Sequence, residues 1–476
     1  MTEQKNVRKN GRKNVSKEEL FGAAPVPRAL LTMAIPTIIS QMINLIYNVV
    51  DAFFIGRTGN AYMMAATTVT LTMVMMNVAL SNLFGIGGGS QVARLMGAGD
   101  REEARAVSAF SFWSALGLAL AYSVVIGIFL DKVLRFLGAS DATMAYARSY
   151  AYLVIVLGSV PGILSSAMAH LLRNTGYSKE ASMGLSGGGI LNVALDPLFM
   201  FVLLPKGQEV VGAALATLLS NTAACAYLLI VLARRSRGAS PLSMKPADAR
   251  RVSRASVKAV FSVGIPSAVL TGLFDLANIC VNILCAAHSD LVLAGMGIVM
   301  KIERVPNAIN IGLCQGMLPI VAFNYASGNR ERMQDVIRTA RRAGLLISFA
   351  SLALFEIFAT PASKLLLSTS AEDAAAALET IGWAALFLRI RCLASPVQFG
   401  NYHTSYSLQA MGDGRDTLLH AFVRELVFYI PFLFILDRLF GETGLAAALP
   451  LGEACGALFA AFLLRRWLKR TDKEKR

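Results

Sequence analysis

Twelve ionisable residues fall inside long apolar stretches of the chain: Asp51, Asp196, Asp275, Glu303, Glu356, Glu425 and Glu453, with Lys301, Arg304, Arg389, Arg391 and Arg424. A charge in apolar surroundings is costly, so each needs a counter-charge, a water-filled cavity or a proton. The chemistry open to such groups is the binding and release of ions. Asn44, Tyr47, Asn48 and Asp51 are spaced i, i+3, i+4 and i+7, which puts them on one helical face. Asp196 follows Asn192 by one helical turn and precedes Pro197, which lacks an N–H and leaves a helix carbonyl free. A carboxylate with amide and carbonyl oxygens makes a hard site suited to H+ or Na+. Held close together, Asp51 and Asp196 cannot both remain ionised and bare, so they would share a proton or a cation. The competing reading makes Asp196 a local cap and places Asp51 just inside a membrane interface.

Asp275, Asn278 and Asn282 share a second face, and Glu303, Asn307 and Asn310 a third. With Asn44, Asn48 and Glu453, the residues Asp275, Asn278, Asn282, Glu303 and Asn307 are candidates to line a substrate cleft. Lys301, Glu303 and Arg304 equally suit an internal ion pair. Arg424 and Glu425 are adjacent and should point apart, anchoring helix ends or pairing across helices. Arg389 and Arg391 are expected to snorkel, and Glu356 to sit near the outer surface. Met63-Met64 and Met73-Val74-Met75-Met76 suit promiscuous apolar binding, or simply membrane core.

Composition names the medium. Of 476 residues 55% are hydrophobic and 16% charged, against about 25% charged in soluble proteins. Neither a soluble enzyme nor a disordered chain fits. The six Cys form no CxxC, the four His are scattered, and no HExxH is present, so no metal site or catalytic constellation is expected. Without a GxxxxGK[ST] segment there is no P-loop.

The net charge of +15 sits in three short segments: 1–28 holds 7 Lys/Arg, 234–258 holds 8 and 465–476 holds 7. Each flanks an apolar run, as cytoplasmic loops do under the positive-inside rule. Nucleic-acid binding is not expected. The long basic N-terminus and the run from Ala29 do not suit a signal peptide.

The elements that must position these groups are twelve apolar runs, near 29–56, 62–92, 105–130, 147–171, 182–204, 211–233, 259–286, 291–323, 337–359, 378–410, 417–436 and 444–467. Each is long enough for a membrane helix of about 20 residues. The expected fold is an all-α polytopic membrane protein. Residues 1–28 form a basic N-terminal segment, 29–233 a six-helix half, 234–258 a basic linker, 259–467 a second six-helix half and 468–476 a tail. Four short inner loops hold 11 Lys/Arg and six outer connections hold 7. Ile35-Pro36 recurs as Ile265-Pro266, Gly99-Asp100-Arg101-Glu102 as Gly328-Asn329-Arg330-Glu331, and Gly212-Ala213-Ala214 as Gly444-Leu445-Ala446, at offsets of 229 to 232. An even number of spans per half makes this repeat parallel, the arrangement of transporters that bind substrate between two halves. Gly99-Asp100 reads as a turn and helix cap with Glu103 closing a capping box. Gly85-Ile86-Gly87-Gly88-Gly89 reads as close helix packing.

Several of these segments resemble the multidrug and toxic compound extrusion (MATE) family. They are Ala34-Ile35-Pro36, Asp51-Ala52-Phe53-Phe54-Ile55-Gly56, Gly97-Ala98-Gly99-Asp100 and Leu172-Arg173-Asn174-Thr175-Gly176. With them go Asn192-Val193-Ala194-Leu195-Asp196-Pro197-Leu198-Phe199 and Gly212 to Thr217. In the second half they are Gln315-Gly316-Met317-Leu318-Pro319-Ile320, Asn324-Tyr325 and Leu408-Gln409-Ala410-Met411-Gly412. The resemblance spans about 29–467 and is closest to the DinF- and MepA-like branch. It implies an exporter of amphipathic, cationic small molecules that works by alternating access and Na+ or H+ antiport. It implies no cofactor beyond the coupling ion, a monomer, and an inner-membrane location with both termini cytoplasmic. In that branch the matching positions Asp51, Asn192 and Asp196 form the cation-coupling site, with Tyr47 beside them and Thr217 a weaker match. The NorM-like branch has acids on its seventh and tenth helices. Asp275 approximates the first, while the tenth run offers Arg389 and Arg391 but no acid in its apolar part. The alternative is a lipid-linked saccharide flippase of the wider superfamily, whose cationic cavity would draw on Lys301, Arg304 and Arg424.

Overall fold

The computed structural model describes residues 17–238, 240–366 and 374–473, all helix and connecting turns, with no strand among them. In the first half come α1 (Lys17–Gly22), α2 (Val26–Gly56), α3 (Ala61–Ala98), α4 (Arg101–Phe136), α5 (Asp141–Ala151), α6 (Ser159–Asn174), α7 (Ser178–Pro197) and α8 (Glu209–Arg235). A short α9 (Pro246–Ala249) lies in the linker. The second half has α10 (Arg254–His288), α11 (Asp290–Ala326), α12 (Arg330–Leu366), α13 (Ala374–Cys392), α14 (Ser395–Met411), α15 (Gly414–Phe422) and α16 (Ile430–Lys473). Turns of π-helix, Tyr152–Leu157, Leu198–Leu203 and Val423–Tyr429, extend α5, extend α7 and join α15 to α16.

Among the described residues, nine helical stretches are long and apolar enough to cross a membrane, ten when the bent pair α5–α6 counts as one span. The twelve expected runs all lie on helix, with three differences. The run 147–171 is two helices bent by 46°, where a Cβ on Gly158 would collide with the Val154 carbonyl oxygen. The run 378–410 is two helices separated at Leu393-Ala394, and its second part is rich in buried polar side chains, among them Gln398, Asn401 and His403. The last two runs join without a loop, the chain turning at Gly441 with φ 59° and ψ −138°. Residues 1–16, most of the basic N-terminal segment, lie outside the described residues, as do 474–476 of the tail.

The repeated Gly-Asx sequences build the same local structure twice. Gly99 and Gly328 take φ of 80° and 78°, a left-handed conformation open to glycine. Asp100 Oδ1 then accepts from Glu103 N at 3.0 Å and Asn329 Oδ1 from Arg332 N at 3.2 Å, capping α4 and α12. The capping box is only half formed. The Glu103 carboxylate accepts instead from Ser253 N and Oγ, at 3.0 and 2.7 Å.

The apolar core shows how the halves meet. One cluster, at the end that carries α1 and the linker, joins both halves through Met33, Ala34, Phe84, Val260, Met317 and Phe323. Toward the other end the core divides. Ile55, Met73, Leu130 and Met200 belong to a cluster within the first half, and Val281, Val299, Phe387 and Leu433 to one within the second. The molecule is therefore closed at the basic end and parted at the opposite end. Small residues make the closure tight. A Cβ on Gly316 would stand 2.6 Å from Ala34 Cα, and one on Gly87 2.9 Å from Gly264 Cα. Gly88 packs on Ser111 and Gly89 on Asn174, so the glycine string of α3 serves close packing on several sides.

Two basic segments dock on this closed end. Phe21 of α1 is fully buried, and its carbonyl accepts from Asn324 Nδ2 and Arg332 Nε at 2.9 and 2.8 Å. The linker is strapped to α4: Arg105 donates to the Gly238 and Ser240 carbonyls, and Trp113 Nε1 to that of Met244.

Candidate functional site

Four helices, α2, α5, α7 and α8, bring the sequence-selected residues of the first half together and add one more. Asn192 Nδ2 on α7 donates to Asp196 Oδ1 at 3.3 Å and lies 3.4 Å from Thr217 Oγ1 on α8. Asp196 is fully buried and Asn192 nearly so. From α2, Asp51 acts electrostatically on Asp196, and both act on Tyr47. Gly189 allows this approach: a Cβ there would stand 3.1 Å from Tyr47 Cδ1 and from Ile43 Cγ2. Pro197 deprives the Val193 carbonyl of its helical donor.

Three oxygens in this group, Asp51 Oδ1, Asn192 Oδ1 and Asp196 Oδ2, are buried without a hydrogen-bond partner. Such groups are rare because leaving them unmade is costly. Carboxylate, amide and hydroxyl oxygens are the donor types that hold a small hard cation or a proton. Tyr150 of α5 joins them, buried and within electrostatic reach of Asp51, Asp196 and Tyr47. The sequence reading missed it because its neighbours Arg148, Ser149 and Tyr152 give it the look of a loop-proximal residue. The π-turns at 152–157 and 198–203 begin within two residues of Tyr150 and Asp196, and such turns recur at functional sites.

Asn44 and Asn48 continue the stripe but are exposed, with Asn48 Nδ2 donating to Asn44 Oδ1 at 2.9 Å. The exposed apolar residues of α2, such as Ile39, Ile46, Val49 and Phe53, lie on the opposite side of the helix at roughly 100° per residue. That side suits lipid, so the two asparagines face the gap between the halves. Deeper in the gap, Asn82 Nδ2 of α3 meets Thr271 Oγ1 of α10 at 3.1 Å.

The second half is organised differently. Arg391 does not snorkel: it is buried and bonds both oxygens of Glu303, at 3.0 and 2.9 Å. Asn307 and Gln398 line the same small pocket. Asn310 Nδ2 donates to Ser348 Oγ at 3.0 Å. Asp275 interacts electrostatically with Arg304, while Asn278 is half-buried and Asn282 exposed. Glu453 lies in a closed interior, not an open cleft. Arg424 grips both its oxygens at 3.0 and 2.6 Å, and Asn401 Nδ2 donates to one of them at 2.6 Å. His420 continues the network to Asn401 Oδ1 and Ser405 Oγ. Asn401 and His420 were also missed; the signal was the charge-free polar string from Gln398 to Gln409. No second acid from this half joins the Asp51–Asp196 group among the described residues.

No cluster of three or more His, Cys, Asp or Glu suited to a metal occurs among the described residues. Gly184-Leu185-Ser186-Gly187-Gly188 has the spacing of a nucleophile elbow, but it lies in the middle of α7 and not on a strand-to-helix turn. Its glycines let α7 approach α8: a Cβ on Gly188 would stand 2.9 Å from Ala224 Cβ.

The fold is that of a multi-pass all-α membrane protein, with a group of buried, unpartnered oxygens in its first half. The MatE family model matches residues 36–198 and 266–435, and the chain belongs to the MatE family. It is 29% identical over 456 residues to multidrug export protein MepA of Staphylococcus haemolyticus (strain JCSC1435), covering 96% of this chain and 97% of that one. It is also 29% identical over 450 residues to MepA of Staphylococcus aureus (strain MRSA252), covering 94% and 95%. Among solved structures it resembles a MATE in complex with MaL6, with a TM-score of 0.89 at 23% identity, covering 96% of this chain and 99% of that one. It also resembles the outward-facing conformation of a multidrug resistance MATE family transporter of the MOP superfamily, with a TM-score of 0.88 at 22% identity, covering the same shares.

Proposed function

We propose that this chain is a secondary active multidrug exporter of amphipathic, cationic compounds, driven by antiport of H+ or Na+ through Asp51 and Asp196. The observation that carries the reading is the presence of three buried, unpartnered oxygens on Asp51, Asn192 and Asp196, residues that interact with one another. Such a group is stable only while it holds a cation or proton, so it must be loaded and unloaded as the halves rock. The coupling ion shifts the equilibrium between conformations only by its differential affinity for them. The site lies on the parted side of the molecule, where an ion entering from outside reaches it, and substrate occupies the gap bordered by Asn44, Asn48, Asn82 and Thr271. The protein acts as a monomer in the inner membrane with both ends cytoplasmic, and it carries out no covalent chemistry. The flippase alternative would draw on Lys301, Arg304 and Arg424 as free cations for a pyrophosphate, whereas Arg424 is taken up by Glu453 and Arg304 acts on Asp275.

The test is cationic-dye transport in proteoliposomes under a proton gradient and a sodium gradient applied separately, with Asp196→Asn alongside. Transport driven by one gradient and lost in the variant is expected and names the ion. Undiminished transport by folded Asp196→Asn refutes the proposal.

A further inference from the structure

We infer that Glu425 is a second proton-binding site, in the C-terminal half, where a single arginine faces two buried carboxylates. Arg424, Glu425 and Glu453 are all at most 2% exposed. Arg424 gives its bidentate pair to Glu453, through Nε at 3.0 Å and Nη2 at 2.6 Å. Glu425 is left with one contact, its Oε1 lying 3.5 Å from Arg424 Nη2, too long for a strong ion pair. Its other oxygen, Oε2, is buried and has no hydrogen-bond partner. One positive charge thus stands against two acids.

The surroundings do not supply a second charge. The charges acting on Glu425 are those of Arg424 and Glu453. From α15, His420 is engaged with Asn401 and Ser405. From α14, Tyr402 lies beneath the Arg424 guanidinium at 5.1 Å. Tyr429, on the same turn, bonds to Arg391 of α13, and Arg391 is itself held by Glu303. On α10, Asp275 faces Arg304. An ionised, unpaired carboxylate in this interior would be strongly destabilising, and the group neutralises itself instead. A metal cation is a poor fit, because it needs several oxygens and would sit against the guanidinium. A proton needs one.

The backbone marks the same place independently. Three π-helical turns occur among the described residues. Two flank Tyr150 and Asp196 at the site in the first half, and the third, Val423–Tyr429, carries both Arg424 and Glu425. In an ordinary α-turn adjacent side chains diverge, whereas here both reach one cluster. When Arg424 moves from Glu453 toward Glu425, the proton leaves Glu425 and Glu453 takes one up, so the cluster keeps one proton for one arginine. The inference concerns a proton in the folded protein and stands whether the transport reading holds or fails.

Infrared difference spectroscopy of the purified full-length protein through a pH titration tests it. Asp51→Asn/Asp196→Asn serves as the background, which silences the first-half pair. The expected result is a carboxylic-acid C=O band in that background, lost on adding Glu425→Gln. Glu453→Gln, which frees Arg424 for Glu425, should abolish the band with Glu425 still in place. Absence of the band in the background protein, or its persistence unchanged after Glu425→Gln or after Glu453→Gln, overturns the inference.

Discussion

Arg173 on α6 donates to Gln315 Oε1 on α11 at 3.1 Å, joining the two halves across the closed end. Arg173 is buried, so the bond is shielded from water. A hydrogen bond to a charged group contributes about 1.5–3 kcal/mol, on the order of a 10- to 100-fold change in a conformational equilibrium. Gln315→Ala should therefore weaken the closed end without unfolding either half. Spin labels at exposed Lys179 and Glu331 would report it as a new population at longer distance. An unchanged distance distribution would mean the bond does not help to hold the gate.

Tyr150 gives a second expectation. Its hydroxyl shares the electrostatic field of Asp51 and Asp196, whereas its ring packs in the first-half core. Tyr150→Phe keeps the ring and removes only the polar group. The loss of one hydrogen-bonding group is worth about 0.5–1.5 kcal/mol, so ion-driven efflux should fall roughly 2- to 10-fold with melting behaviour preserved. Proteoliposome transport and thermal unfolding, measured together, check it. Equal transport at all gradients would remove Tyr150 from the site.

The helices, the Gly-Asx caps and the Asn192–Asp196 turn are legible in the sequence for one reason: each depends on local spacing, whereas grouping Asp51 with Asp196 rests on the family resemblance. Asn192 and Asp196 are one turn apart, and the Gly-Asx caps at Gly99 and Gly328 are fixed by two adjacent residues. Pairings between distant helices are invisible to such reasoning. Glu303 finds Arg391 across 88 positions and Arg424 finds Glu453 across 29, and nothing in local spacing distinguishes these from snorkelling or a helix-end anchor. The π-turn at Val423–Tyr429 is no more legible, since it contains no Gly or Pro to mark a departure from the α-helix.

The linker should respond to pH only in acid. Asp248 accepts from Ser243 Oγ at 2.5 Å and lies 3.5 Å from Arg105 Nη2. The Ser243 hydrogen bond, then Arg105, Lys245 and Arg251, hold its carboxyl below the ordinary carboxylate range. A carboxylate depressed in the folded state stabilises it above the unfolded value, about 3.9, and that contribution is lost as pH falls through the folded value. Hydrogen exchange of the linker should thus stay slow and flat from neutral pH to about 4 once the intrinsic rate is divided out. Asp248→Asn should raise it throughout. Identical protection in the variant would show that the strap at Arg105 and Trp113 suffices alone.

The Glu303–Arg391 pair allows a sharper test of what a buried ion pair contributes. Arg391 is 4% exposed and bonded to both glutamate oxygens. Removing one partner leaves the other charge buried and bare, at about 3–5 kcal/mol, whereas replacing both by apolar residues of similar volume is often close to neutral. Arg391→Met should lower the melting temperature of the purified protein sharply, and Glu303→Leu/Arg391→Met should recover most of the loss. That pattern would make the pair a structural element that can be exchanged, with its charges not needed for folding. A double variant as unstable as the single one would instead mean that Tyr429, which bonds to Arg391, or the pocket beside Glu303 depends on the charges themselves. Transport by the stable double variant then separates the two roles. Retained export leaves ion coupling to the first half, and lost export in a folded protein assigns the pair a part in the conformational cycle.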